Sequence, residues 1–257
     1  MLVIRAEQAE ALKVAAVNNF VKSMVAHIKE FFPNHFRVFT GKGAHVVAEY
    51  AVKRARRHDF VTERNVCLYL NVMLILGSNF DDDPQLGWTT RILKDEDITD
   101  PSDRADILMD KTLEYFDVIA GVNNRQINRT FLKLDREFSK AVSAPSQGPF
   151  EADARNLLKW INPNKYEAVG DKSIRELIEI GMDSANQYEV FSESGMLLYI
   201  SLMFILGSGF DRDPQAPWAK KDLNDPNIET GNERADQLLK DFMSNLKLFL
   251  KNYHSTA

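Results

Sequence analysis

At 257 residues, with 44% hydrophobic and 27% charged residues, the chain has a globular composition and room for one large domain or two ordinary ones. Its formal net charge of −5 divides into −1 over residues 1–130 (17 basic, 18 acidic) and −4 over residues 131–257 (15 basic, 19 acidic). Neither half has the basic excess of a nucleic-acid binder.

Cys67 is the only cysteine, which excludes an intramolecular disulfide and points to a reducing compartment. The opening residues reach Arg5 and Glu7 without the apolar run of a secretory signal. The longest apolar stretches, 66–76 and 196–206, fall short of the roughly 20 residues that span a bilayer and suit buried core helices. The expectation is a cytoplasmic protein with no membrane-spanning segment.

Residues 5–32 read as a long amphipathic helix, with Leu12, Ala16, Phe20, Met24 and Ile28 on one stripe widened by Val17, Val21 and Val25. Pro33 ends it, since proline lacks an amide proton and clashes with the preceding turn. Arg37–Thr40 is the only short strand candidate, and Thr40-Gly41-Lys42-Gly43 reads as a turn before a second helix that runs to about His58. Thr62 sits at the N-cap of an apolar helix over 63–76, followed by Gly77 where a left-handed backbone is cheap. Asp83-Pro84 restarts the chain as N-cap and N1, with Trp88 one turn on, and Asp100-Pro101 opens a further helix. Asn123-Asn124 and 144–149 are linker candidates flanking a helix over 127–142.

The stretch Leu68–Trp88 then recurs as Leu198–Trp218, an offset of 130 residues shared by Asp83-Pro84-Gln85 with Asp213-Pro214-Gln215 and by Pro33-Asn34 with Pro163-Asn164. Ser192, Gly207 and Trp218 repeat the roles of Thr62, Gly77 and Trp88, while Thr230 and Glu233 form a capping box at the last helix. The expected fold is all-α, about ten helices in two tandem copies of a roughly five-helix unit. Copy one spans 1–122 and copy two 123–257, with the boundary somewhere in 121–150.

Residues present in both copies belong to what the copies share. Histidine fails this filter: His27, His35, His45 and His58 face Leu157, Lys165, Arg175 and Tyr188, and no zinc-ligand spacing appears. Cys67 faces Leu197, as a small buried hydrophobe would. Ser78 and Ser208 are shared but lack a nucleophile elbow and a shared base. Asp81, Asp83, Asp95 and Asp106 recur as Asp211, Asp213, Asp225 and Asp236. Paired carboxylates could hold calcium or act as acid and base, yet the calcium-loop glycine and terminal glutamate are absent. Gly77, Asp81, Asp83 and Trp88, with Gly207, Asp211, Asp213 and Trp218, are therefore assigned to a structural loop; no catalytic residue, metal site or cofactor is expected. Arg104 and Arg234 are expected to pin that loop by pairing with a shared aspartate. Lys53, Arg54, Arg56 and Arg57, unmatched in copy two, form a possible patch for an acidic protein partner.

The pattern Leu-Tyr-Leu-x-x-Met-x-x-Leu-Gly-x-x-Phe-Asp-x-Asp-Pro-x-x-x-Trp, with Ile4–Gln8 and Met24–Pro33, resembles a family of helical tandem-repeat proteins encoded in bacterial type VI secretion clusters beside effectors and their adaptors. The likeness covers about the first hundred residues and copy two through its Phe-Asp-Arg-Asp-Pro segment. It implies a toxin-delivery setting and carries no catalytic residues. The leading expectation is a non-enzymatic immunity protein that binds a secreted effector. The alternatives are an adaptor or chaperone for effector loading, a metal-dependent enzyme using the duplicated aspartates, or an oligomeric structural component.

Overall fold

The computed structural model describes residues 5–146 and 148–251. It is 81% helix, with twelve α-helices and no strand among the described residues. In chain order these are α1 (Ala6–Phe31), α2 (Pro33–Ala55), α3 (Glu63–Leu76), α4 (Gly87–Leu93), α5 (Pro101–Ala120) and α6 (Arg125–Val142), then α7 (Phe150–Ile161), α8 (Pro163–Val169), α9 (Asp171–Gln187), α10 (Glu193–Leu206), α11 (Pro217–Leu223) and α12 (Gly231–Leu250). No helix among the described residues is long and apolar enough to cross a membrane.

Local chemistry sets the boundaries. Thr62 and Ser192 accept the Asn65 and Gly195 amides at the starts of α3 and α10, and Thr230 with Glu233 closes a capping box on α12. Asp100 caps α5 through the Ser102 amide. The helices α3, α4 and α5 begin and end 130 residues before α10, α11 and α12. Gly170 (φ 82°) separates α8 from α9, whereas Thr40 (φ 60°) only kinks α2 at the matching position.

Three expectations change. Arg37–Phe39 is helical rather than extended, because Pro33 presets the first helical turn and α2 continues up to the kink at Thr40. The Thr40–Gly43 turn reduces to the kink at Thr40. The first half of α1 is exposed, Leu12 by 61%; burial begins with Val21, Met24 and Ile28, whose counterparts lie on α7 rather than on α6. Amphipathicity marked the stripe, but among the described residues its N-terminal turns stay exposed at Leu12 and Val14.

Buried apolar side chains fall into two clusters, one from Val21 to Leu108 and one from Leu134 to Leu250. Helix α6 contributes Leu134, Phe138 and Val142 to the second. The apolar helices α3 and α10 are the spine of each, and their C-terminal ends meet. A Cβ on Gly77 would stand 2.5 Å from the Leu206 carbonyl oxygen and 3.7 Å from the Gly207 Cα. Both glycines are at φ near +100° and ψ near 150°, beyond the left-handed helical region and accessible in practice to glycine alone. Close approach and backbone conformation both require glycine here.

Gly77→Ala is accordingly expected to destabilise the fold by about 2–3 kcal/mol, lowering the thermal midpoint by several degrees. Gly87→Ala, with nothing within 4 Å of the new Cβ and no positive φ, should stay within about 0.5 kcal/mol of the parent. Equal melting of the two variants would contradict the glycine contact.

Candidate functional site

The duplicated Asp-Pro-Gln segments lie at the meeting point of α3 and α10. Asp83 uses Oδ1 to accept the Gln85 amide at 2.9 Å, which starts its own 3-10 turn, and Oδ2 to accept the Ser208 amide of the other half of the chain at 2.8 Å. Asp213 does the reverse: Oδ1 accepts Gln215 N at 2.7 Å and Oδ2 accepts Ser78 N at 2.8 Å. The glutamine side chains cross as well. Gln85 Nε2 donates to the Met203 carbonyl at 2.9 Å and Gln215 Nε2 to the Met73 carbonyl at 2.7 Å. These carbonyls belong to the last turns of α10 and α3, where acceptors are in excess. Burial raises the pKa of both aspartates, and the donated amides offset part of that cost. The helix start expected at Asp83 and Asp213 is not found: Asp83 caps a 3-10 turn, Asp213 holds only the Gln215 amide of a turn, and α4 and α11 begin later, at Gly87 and Pro217.

Asp81 lies in a separate buried cluster. Arg54 reaches its Oδ1, while His58 Nε2 and the Tyr69 hydroxyl reach Oδ2, each at 2.9 Å. Arg54 also pairs with the exposed Asp82 at 2.8 Å. Burial alone would raise the Asp81 carboxyl; hydrogen bonds from His58 and Arg54, and the guanidinium charge, outweigh it and hold the pKa down at about 2. In copy two Tyr188 takes the place of His58 and donates to Asp211 Oδ2 at 2.9 Å, and Ser184 replaces Arg54. Each Asp-x-Asp motif thus braces its loop with one carboxylate and the opposite copy with the other. Trp88 and Trp218 pack half-buried behind it, against Tyr115 and Phe242.

Arg54 is therefore not part of a partner-facing patch. It is 5% exposed, one helical turn after Ala51 on the inner face of α2, and its charge is spent on Asp81. Lys53, Arg56 and Arg57 are exposed. Arg104 and Arg234 do not pair with shared aspartates either. They hold the following loop by its carbonyls, Arg104 through Leu93 and Ile98, Arg234 through Ile228 with Glu189 besides. Asp95 and Asp225 accept amides two residues on, and exposed Asp106 pairs with Arg64 at 2.6 Å. Among the described residues no three His, Cys, Asp or Glu side chains group as a metal site would require. Cys67 is half-buried, its thiol pKa raised by burial.

A cavity of about 580 Å³ opens between the two clusters, within the roughly 300–1,000 Å³ range of small-molecule pockets. Its wall draws on α2, α3, α5, α6, α8, α10 and α12 and is mostly apolar. Two bases face it from positions 130 residues apart. His35 bonds the Leu74 backbone, and Lys165 Nζ donates to the Phe204 carbonyl with the Phe204 ring centroid 4.9 Å away. Burial lowers His35 to about 4, only partly opposed by Leu74, so it is neutral at pH 7. Burial lowers Lys165 to about 8 against the opposing charge of Asp83. Sequence reasoning passed over this pair because a filter on identity rejects histidine opposite lysine. Two nitrogen bases at one repeat position were the available signal.

The Asp81 cluster has a definite pH signature. Its folded pKa lies below the ordinary 3.8, so the stability it contributes is present above about pH 4 and lost as pH falls through about 2. That contribution is on the order of 2 kcal/mol. Arg54→Met should lower stability at pH 7 by about 3 kcal/mol and flatten the decline of unfolding free energy between pH 5 and pH 2. A parallel decline in both proteins, measured by denaturant titration, would contradict the pairing. Comparison of the chain with protein-family models, with curated proteins and with solved structures found no match.

Proposed function

We propose that the chain is a non-enzymatic, cytoplasmic protein-binding scaffold of two tandem copies, divided near residues 121–150, and that it serves as an immunity protein for a type VI secretion effector. The observation that carries this reading is the division of labour between shared and unshared residues. The duplicated aspartates are consumed in bracing the frame. Asp83 and Asp213 take backbone amides on both oxygens, and Asp81 takes three side chains. The unshared cations Lys53, Arg56 and Arg57 stand free in solvent at the end of α2, beside Val61, which is 75% exposed. Copy two has Asp183, Asn186 and Gln187 at their positions. An exposed basic helix end next to an apolar residue suits an acidic protein surface. The setting rests on the resemblance of the twin Phe-Asp-x-Asp-Pro segments to proteins of toxin-delivery clusters.

An adaptor or chaperone for effector loading would use the same surface. A metal-dependent enzyme built on the duplicated aspartates has less support, because both carboxylate oxygens of Asp81, Asp83 and Asp213 already accept from protein donors.

Co-purification with the toxin encoded by the neighbouring gene tests the proposal. The expected outcome is salt-sensitive capture that the combined Lys53→Glu, Arg56→Glu, Arg57→Glu variant weakens about tenfold or more. An immunity role further predicts that co-expression rescues growth of cells making the toxin, whereas an adaptor would leave them dying. No capture at any salt concentration would overturn the reading.

A further inference from the structure

The cavity between the two clusters combines three features that the scaffold does not require. It is large and mostly apolar. Lys165 brings an ammonium group into its wall, and among the described residues no carboxylate lies within the 4.0 Å of an ion pair, its hydrogen bond going to the Phe204 carbonyl. Three N–H donors thus have one acceptor. The buried Tyr115 hydroxyl, on the same wall, has no hydrogen-bond partner at all.

The carboxylate acceptors on the wall are occupied, and one amide oxygen, Gln85 Oε1, is buried without a partner. Asp83 receives Gln85 and Ser208, and Asp213 receives Gln215 and Ser78. Apart from that neutral oxygen, the unused hydrogen-bonding capacity of the cavity is the surplus of donors on Lys165 and Tyr115, and the only charge in that surplus is the Lys165 ammonium. Buried ammonium groups are ordinarily paired, because an unpaired buried charge is costly. A ligand that leaves this wall satisfied must supply an acceptor, preferably anionic, attached to an apolar body. His35, neutral and bonded to the Leu74 backbone, adds no second charge to the opposite wall.

We propose that the cavity is a binding site for a small amphiphilic monocarboxylate, its carboxylate accepting hydrogen bonds from Lys165 and Tyr115 and its hydrocarbon body lying among the aromatic side chains of α6, α10 and α12. The site is distinct from the exposed end of α2 and independent of any protein partner. Phe131, Phe204 and Phe249 supply that apolar lining.

Isothermal titration of the full chain with sodium decanoate, methyl decanoate and decylammonium chloride tests the proposal. Decanoate is expected to bind saturably and one to one. The methyl ester, which keeps the chain but loses the charge, and the ammonium, which offers only donors, should each bind about tenfold more weakly or worse. Lys165→Met should cost decanoate about tenfold or more and Tyr115→Phe a few-fold. No saturable decanoate binding would overturn the proposal. So would equal affinity for all three compounds, or wild-type affinity in a folded Lys165→Met variant. Should that variant fail to fold, the three-ligand comparison on the unmodified chain decides alone.

Discussion

The exchange of two carboxylates across one glycine contact holds the architecture together. Helices α3 and α10 meet at their C-terminal ends, which is electrostatically poor: both macrodipoles present their negative poles, and both last turns leave carbonyls without donors. Asp83 and Asp213 add two buried carboxyl groups to the same place. The arrangement is held by donors that cross from the other side. Ser78 and Ser208 give their amides to the opposing aspartates, and the Gln85 and Gln215 side chains reach the Met203 and Met73 carbonyls. Gly77 and Gly207 permit the approach; a Cβ on Gly77 would push the strands of this network apart.

From that contact the rest follows outward. Each loop is anchored twice, at the seam by the second aspartate of Asp-x-Asp and in its own core by the first. The core anchor differs between the halves: Arg54, His58 and Tyr69 on Asp81 in one, Tyr188 on Asp211 in the other. The seam does not fill the space on its flank, and the cavity there is bounded by positions 130 residues apart that differ chemically, His35 against Lys165 being the clearest case.

Much of this was legible in the sequence, for local reasons. Helix starts at Thr62, Asp100, Ser192 and Thr230 are written in the side chain that satisfies the first free amides, and the bounds of α3 followed from its caps. What could not be read was partner choice at long range. A repeated residue has two copies of every potential partner, so Asp83 looked like a local cap, although one of its oxygens serves Ser208. Arg54 was hidden in a run of cations, yet its spacing from Val47 and Ala51 places it on the buried face of α2, and periodicity weighed against composition would have found it. Leu12 failed in the opposite sense, since a stripe on a helix does not say whether anything covers it.

Hydrogen exchange at the Ser78 and Ser208 amides tests the central claim most directly, because each amide reports on the carboxylate of the other half. In Asp83→Asn, protection should drop at Ser208 and hold at residues of the second core such as Leu202 and Met203; in Asp213→Asn the loss should move to Ser78. Unchanged exchange at Ser208 in a folded Asp83→Asn protein would contradict the crossed carboxylates and, with them, this account of how the two halves are joined.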